Sequence, residues 1–188
     1  MLRNEIEKAL TVLKNGGVIL YPTDTIWGLG CDATNAAAAE KINTIKNRQA
    51  DKSFIILLDN DSKIQSYVDE VPEVAYDLIE YAEHPLTIVF SGAKNLAKNV
   101  INEDGSVGIR IAKHDFVQQL LQRFRKPITS TSANLSGQPS PQSFDDIAQE
   151  IKDSVDYVVN WEQDLRNNKK NSTIMKLSPS GQFSFIRK

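Results

Sequence analysis

Short apolar runs alternate along this chain with amphipathic segments, and that alternation constrains its fold more than any other feature. Val18-Ile19-Leu20-Tyr21 and residues 54–58 are continuous apolar stretches of strand length, the pattern of strands buried on both faces. Around them, Ile6, Ala9, Leu10 and Leu13 repeat at helical spacing and stop at Gly16-Gly17. Ala38, Ile42 and Ile45 predict a second helix behind the cap candidates Thr34 and Asn35. Val74, Leu78 and Tyr81 predict a third, opened by Pro72. Phe116, Val117, Leu120, Leu121 and Phe124 give the clearest amphipathic helix. Residues 87–90 and 107–111 read as strands, and Pro127-Ile128-Thr129 as a short strand leading into a polar loop. Residues 144–151 read as a helix, with closing strands at 157–159, 173–175 and 183–186. The expectation is an α/β or α+β fold with a twisted, mostly buried sheet. No repeat, low-complexity segment or long linker divides residues 1–188, so one domain is expected.

A chain of 188 residues buries about 70% of its unfolded surface, enough for a core without disulfides or a structural metal. No apolar run approaches the ~20 residues of a membrane span, and the opening MLRNEIEKAL lacks the apolar stretch of a signal peptide. Cys31 is a lone cysteine, which fits a reducing compartment. Together these predict a cytoplasmic protein with no membrane partner. The net charge of −2, from 22 basic and 24 acidic residues, argues against a nucleic-acid coat. The charge is nevertheless uneven. Residues 59–83 hold eight acids and one Lys, whereas residues 110–126 hold five bases and one acid, and residues 166–170 add three bases. The acidic stretch reads as solvated helix faces; the basic stretches leave a polyanion-facing surface open.

Three segments carry the chemistry. Tyr21-Pro22-Thr23-Asp24-Thr25-Ile26-Trp27-Gly28-Leu29-Gly30-Cys31-Asp32 follows a buried strand, and loops at strand ends are where such folds place ligands. It offers hydroxyls, a carboxylate and glycines that permit close backbone approach, although an ordinary turn with a core Trp27 explains its spacing equally well. Lys46-Asn47-Arg48 with Asp51-Lys52-Ser53 puts three cations at the end of a helix. They could offset the helix dipole, or hold a triphosphate or carboxylate, Arg as a fork and Lys as a point charge. In Thr129-Ser130-Thr131-Ser132-Ala133-Asn134-Leu135-Ser136-Gly137, four consecutive hydroxyl residues supply donors to an oxyanion without adding charge. A turn or cap uses one or two such groups and hardly calls for four. There is no P-loop and no zinc spacing; His84 and His114 read as surface residues and Cys31 as structural.

Taken together, the YPTDT-x-WGLGCD run, K-N-R with the following D-K, S-V-G-I-R and S-T-S-A-N-L-S-G resemble the YrdC family over residues 16–186. The resemblance implies a YrdC-type α/β fold, a twisted, largely mixed sheet flanked by helices around a deep basic cavity. It implies a threonylcarbamoyl-AMP synthase, a nucleotidyltransferase joining L-threonine, bicarbonate or CO₂, and ATP for the t6A modification of tRNA. Lys46, Arg48 and Lys52 fall at the family's catalytic ATP-phosphate positions. Thr25, Arg110, Ser132 and Ser172 fall where members hold L-threonine, and Ser106, Asn134 and Arg187 join Arg48 and Lys52 on the nucleotide side. Mg²⁺ is expected on the nucleotide phosphates, and separate tRNA threonylcarbamoyl-transferase proteins are expected downstream. Two departures stand out: Glu83-His84-Pro85-Leu86 replaces a frequent Pro-Gly-Pro, and Leu57 stands where some members carry His. With no room for the C-terminal domain of long members, a short form is expected. A second reading keeps the fold but makes the chain a binder of double-stranded RNA or tRNA, whose affinity would fall steeply with salt.

Overall fold

The computed structural model describes residues 1–47, 54–164 and 171–188, so Arg48, Lys52 and the basic stretch at 166–170 lie outside the described residues. The strands are β1 (Ile19–Tyr21), β2 (Gly28–Gly30), β3 (Ile55–Leu58), β4 (Leu86–Phe90), β5 (Val107–Ile111), β6 (Ile128–Ser132), β7 (Tyr157–Val158), β8 (Thr173–Leu177) and β9 (Phe183–Arg187). The α-helices are α1 (Leu2–Lys14), α2 (Ala36–Ile45), α3 (Val74–Glu80), α4 (Asp115–Phe124) and α5 (Gln149–Ser154). The strands join one mixed sheet in the order β7-β1-β2-β6-β3-β5-β4-β8-β9. The β1–β7, β3–β5 and β4–β8 pairs are parallel and the others antiparallel.

Side chains alternate across each strand, so the sheet sorts its residues by parity. One face sends Leu20, Ile56, Leu58, Ile88, Phe90, Ile109 and Met175 into a core shared with Ile42 of α2 and Ala75 of α3. The other sends Ile19, Tyr21, Leu57 and Ile128 against α1 and α4, through Leu10, Leu13, Phe116 and Leu120. All five apolar positions of the sequence-predicted helix at residues 116–124 are buried, as its amphipathic spacing requires. The α1–α4 layer covers only part of this second face. Beyond it, the same face shows Gly108 and Arg110 of β5, Thr87 and Val89 of β4, and Ile174 and Lys176 of β8, which line open cavities or sit beside them. The sequence predicts a sheet mostly buried on both faces; the structure leaves half of one face uncovered.

Three local expectations change. The hydroxyl run is strand rather than loop: Thr129, Ser130, Thr131 and Ser132 belong to β6, paired with β2 on one side and β3 on the other. Gly28-Leu29-Gly30 is also a strand, and a Cβ at Gly30 would fall 2.6 Å from the Thr129 carbonyl oxygen and 2.7 Å from Tyr21 Cε1. There the missing side chain lets strands close up, not a ligand. Finally, the helix expected at 144–151 begins only at Gln149, because the Asp146 carboxylate accepts from the Ser143 and Gln142 N–H groups and holds a turn. The cap candidate Asn35 does cap α2, accepting from the Ala38 N–H at 3.1 Å.

Candidate functional site

A cavity of about 190 Å³ opens on the uncovered half-face, lined by residues of six strands and the loops beside them. Gly28 of β2 and Arg187 of β9 both reach it, yet six strand spacings separate those strands in the sheet. A flat sheet would hold them about 29 Å apart at ~4.8 Å per strand, so the sheet curls around the cavity. Thr25, Arg110, Ser132, Ser172 and Arg187, from distant parts of the sequence, all line it.

Arg110 is the centre of this wall. It is 3% exposed, flanked in register by Leu57 and Thr87. Its Nη1 donates to Thr25 Oγ1 at 3.1 Å, and its Nη2 lies 3.3 Å from Asp24 Oδ1 as an ion pair without hydrogen-bond alignment. Nε and Nη2 therefore have no hydrogen-bond acceptor among the described residues. A buried guanidinium with idle N–H groups is costly unless a ligand completes it, and the fork geometry suits a carboxylate or phosphate. Thr25 is fixed in turn. Thr23 Oγ1 donates to the Ile26 carbonyl at 2.7 Å, so it accepts from Thr25 N–H at 3.0 Å and from the Thr25 hydroxyl at 3.0 Å. The Thr25 hydroxyl proton being spent inward, its lone pair faces Arg110.

Opposite stands a second cation. Arg187 donates through Nε and Nη2 to the Ser172 carbonyl, at 3.1 and 2.9 Å, and the Ser172 hydroxyl shares a hydrogen bond with Thr87 Oγ1 at 2.8 Å. A bulge brings Arg187 there. Ile174 pairs with Arg187 and Met175 with Phe185, so Ile186 is an extra residue that switches Arg187 to the cavity side. Burial, followed by the charge of Arg110, holds the Arg187 guanidinium below its ordinary pKa. Two cations converging on one hydroxyl-lined cavity make a setting that suits an oxyanion.

Lys46 and Asn134 stand beside this cavity, outside the residues that line it. Lys46 is buried at the end of α2, and its ammonium donates to the Ser132 and Asn134 carbonyls. The Asn134 amide donates to the Leu135 and Gln138 carbonyls, leaving its buried Oδ1 without a partner among the described residues. Ser106 lies elsewhere, in an adjoining cavity of about 460 Å³ that shares Ile55 and Ile174 with the first. Motif reading gave no role to Thr87, which is buried behind the cavity wall and holds the Ser172 hydroxyl, or to Ser130, which lines the cavity. A Thr inside the apolar run Leu86-Thr87-Ile88-Val89-Phe90 was the available signal for the first. Strand parity was the signal for the second, since Ser130 and Ser132 face the cavity while Thr129 Oγ1 accepts from the Cys31 N–H on the other side.

Cys31 is buried, and burial pushes its thiol up to about 12, so it stays protonated and structural as expected. His114 is not the surface residue expected: it is 7% exposed, with Nε2 3.0 Å from Glu162. The basic stretch at 110–126 does not form one free patch. Arg110 enters the cavity, Arg123 pairs with Glu7, and Lys126 pairs with Asp32 at 2.7 Å. No cluster of three or more His, Cys, Asp or Glu suited to a metal occurs among the described residues. Nor is any helix among them long and apolar enough to cross a membrane.

Curled mixed sheet and paired arginines define a small-molecule-binding α/β protein built for an anionic, hydroxyl-recognised ligand. Residues 11–188 match the Sua5/YciO/YrdC family model, described as "Telomere recombination", and the chain belongs to that family. It is 35% identical over 175 residues to a threonylcarbamoyl-AMP synthase of Pseudoalteromonas translucida, covering 92% of each chain. The structure superposes on P. abyssi Sua5 complexed with L-threonine with a TM-score of 0.81 at 26% identity, over 92% of this chain and 50% of that one. E. coli YciO shares the fold with a TM-score of 0.85 at 24% identity, covering 100% of this chain and 90% of that one.

Proposed function

We propose that this protein is a threonylcarbamoyl-AMP synthase that converts L-threonine, CO₂ or bicarbonate and ATP into threonylcarbamoyl-AMP and pyrophosphate, for t6A formation in tRNA. The observation that carries the reading is the buried Arg110 fork, with idle N–H groups beside the fixed Thr25 hydroxyl, in a chain whose relatives are named for this reaction. The first cavity, at about 190 Å³, is below the 300–1,000 Å³ of drug-sized sites and suits an amino acid; the adjoining 460 Å³ suits a nucleotide.

In this reading Arg110 grips the threonine carboxylate, while Thr25, Ser132 and Ser172 orient its polar groups. The unprotonated amine bonds the carbon of CO₂ and releases its proton to solvent, giving a carbamate. A carbamate oxygen then bonds the α-phosphorus of ATP as the bond to the bridging oxygen of pyrophosphate breaks. Lys46, Arg48 and Lys52 are the proposed triphosphate cations that offset charge on the departing pyrophosphate, with Ser106, Asn134 and Arg187 on the nucleotide side. No carboxylate among the described residues lines the first cavity, which fits Mg²⁺ carried by the nucleotide phosphates and water, where it would neutralise charge. Catalysis is then mostly positioning and electrostatics. The product would pass to threonylcarbamoyl-transferase proteins acting on tRNA, in the cytoplasm.

The RNA-binding alternative is less well supported, because Arg123 and Lys126 of the basic stretch at 110–126 are ion-paired within the chain, with Glu7 and Asp32. The test is direct. Purified protein with ATP, L-threonine and bicarbonate should release pyrophosphate in proportion to threonine, and release that ignores threonine overturns the reading.

A further inference from the structure

The adjoining cavity has a floor and one polar wall. Ile55, Gly108, Val89 and Ile174 come from β3, β5, β4 and β8, four successive strands, and form an apolar strip on one sheet face. Gly108 keeps that strip flat, since a Cβ there would already lie 3.0 Å from Ile55 Cγ2. A flat apolar strip suits a planar ring. The wall is Asn102, Glu103, Asp104, Ser106 and Lys176.

Hydrogen bonds along this wall run in one direction only. Asp104 accepts from the Ser106 N–H at 3.1 Å, from the Ser106 hydroxyl, and from Lys176 Nζ at 2.9 Å. Those bonds hold its carboxyl down at about 2, so at neutral pH it is an anion and accepts only. The Ser106 hydroxyl must therefore point its proton at Asp104 and offer a lone pair to Asn102. That forces Asn102 to present its NH₂, and Nδ2 donates to Ser106 Oγ at 3.0 Å. The turn beneath is fixed as well: Asn102 N–H donates to the Ser106 carbonyl and Gly105 N–H to the Asn102 carbonyl, both at 2.9 Å, with Gly105 at φ +73°. The amide cannot flip without breaking this relay, so Asn102 Oδ1 stays the acceptor at the end of the chain, on a residue that lines the cavity, and no hydrogen bond to it is made among the described residues.

We propose that Asn102 is the residue that selects adenine: its fixed Oδ1 accepts from the exocyclic amine of a 6-aminopurine lying on the Gly108 strip and repels the carbonyl of a 6-oxopurine. The assignment rests on the reading that this site binds a purine nucleotide. Ser106, on this view, is a positioning residue that sets the amide's orientation through Asp104.

Titration calorimetry with ATP and with ITP, without threonine or bicarbonate so that no turnover occurs, tests this directly. The two nucleotides share their phosphates and sugar and differ at the base. The protein should bind ATP about tenfold or more tightly, the cost of leaving facing acceptors unpaired. Asn102→Leu should bring the ATP to ITP ratio close to one. Ser106→Ala, which frees the amide to turn, should lower it in the same direction by a smaller factor. A general loss of structure would weaken both nucleotides alike and leave the ratio unchanged. Equal affinities in the parent protein, failure to bind either nucleotide, or a ratio unmoved in an Asn102→Leu protein that keeps the parent's melting temperature overturns the proposal; if that variant loses its structure, a ratio unmoved by Ser106→Ala does. The synthase reading stands or falls separately, on threonine-dependent pyrophosphate release.

Discussion

Leu57 and Arg110 are register neighbours on one face of one sheet, yet they occupy opposite environments. Leu57 lies under α1 and α4, fully buried among apolar side chains. Arg110, one strand further on, is as deeply buried but faces a cavity with N–H groups left over. The strands do not differ in geometry. What differs is whether a helix covers them. Where α1 and α4 end, parity continues but residue chemistry changes from wholly apolar to a mixture, with Gly, Thr, Ser and Arg set among Ile55, Val89 and Ile174. The face is thus divided between holding the fold together and holding a ligand, and each half can be tested alone.

The largest effect is expected from the ligand half. Arg110→Met should reduce kcat/KM for threonine by on the order of 10²-fold or more, because an electrostatic contact in a shielded site is lost. Made together with Asp24→Asn, so that the ion pair at 3.3 Å is removed whole, the change should leave Tm close to the parent's. A fall in Tm with activity retained would contradict the division. The reverse pattern is expected one strand away. Leu57→Ala should cost about 3 kcal/mol of unfolding free energy, measured by denaturant titration, through lost burial and the cavity left behind. Its threonine KM should shift far less than that of Arg110→Met.

The smallest effect belongs to the edge of the covered half. Burial pushes the Glu5 carboxyl up, but hydrogen bonds from the Tyr157 hydroxyl, the Asn160 N–H and Lys8 outweigh it and hold the group below its ordinary 4.5. A depressed carboxylate stabilises the fold above that ordinary value, and the contribution is lost as pH falls through the folded one. Melting curves between pH 7 and 3 should therefore show the parent's advantage over Glu5→Gln shrinking with acid. That advantage is expected to be about 1 kcal/mol, because the cost of burying the carboxylate offsets part of what its hydrogen bonds contribute.

Much of this division was legible in the sequence, and the misses share a cause. The spacing of Phe116 through Phe124 and the run of 18–21 gave α4 and β1 because burial there follows a simple period. Gly28-Leu29-Gly30 hid its strand, because pairing rather than side-chain pattern makes it one. The hydroxyl run reads as a loop by composition, while its place between β2 and β3 makes it a strand. Motifs drew attention to Thr25, Arg110, Ser132, Ser172 and Arg187, which one cavity gathers. They gave no hint of Asn102, whose character comes from the direction of a hydrogen-bond chain rather than from its residue type.

The bulge at Ile186 has a consequence for reading related chains. It makes the position of Arg187 a matter of odd and even counting: in a regular strand that kept Ile186, Ile186 would stand opposite Ile174 and an arginine at 187 would face away from the cavity. A relative could keep every residue type near this strand and still lose the guanidinium if its strand paired without the bulge. Conversely, it could lack the residue at 186 altogether without harm, because the shortened strand would set its arginine opposite the same partner. For this part of the family, strand register should say more about the site than residue identity does.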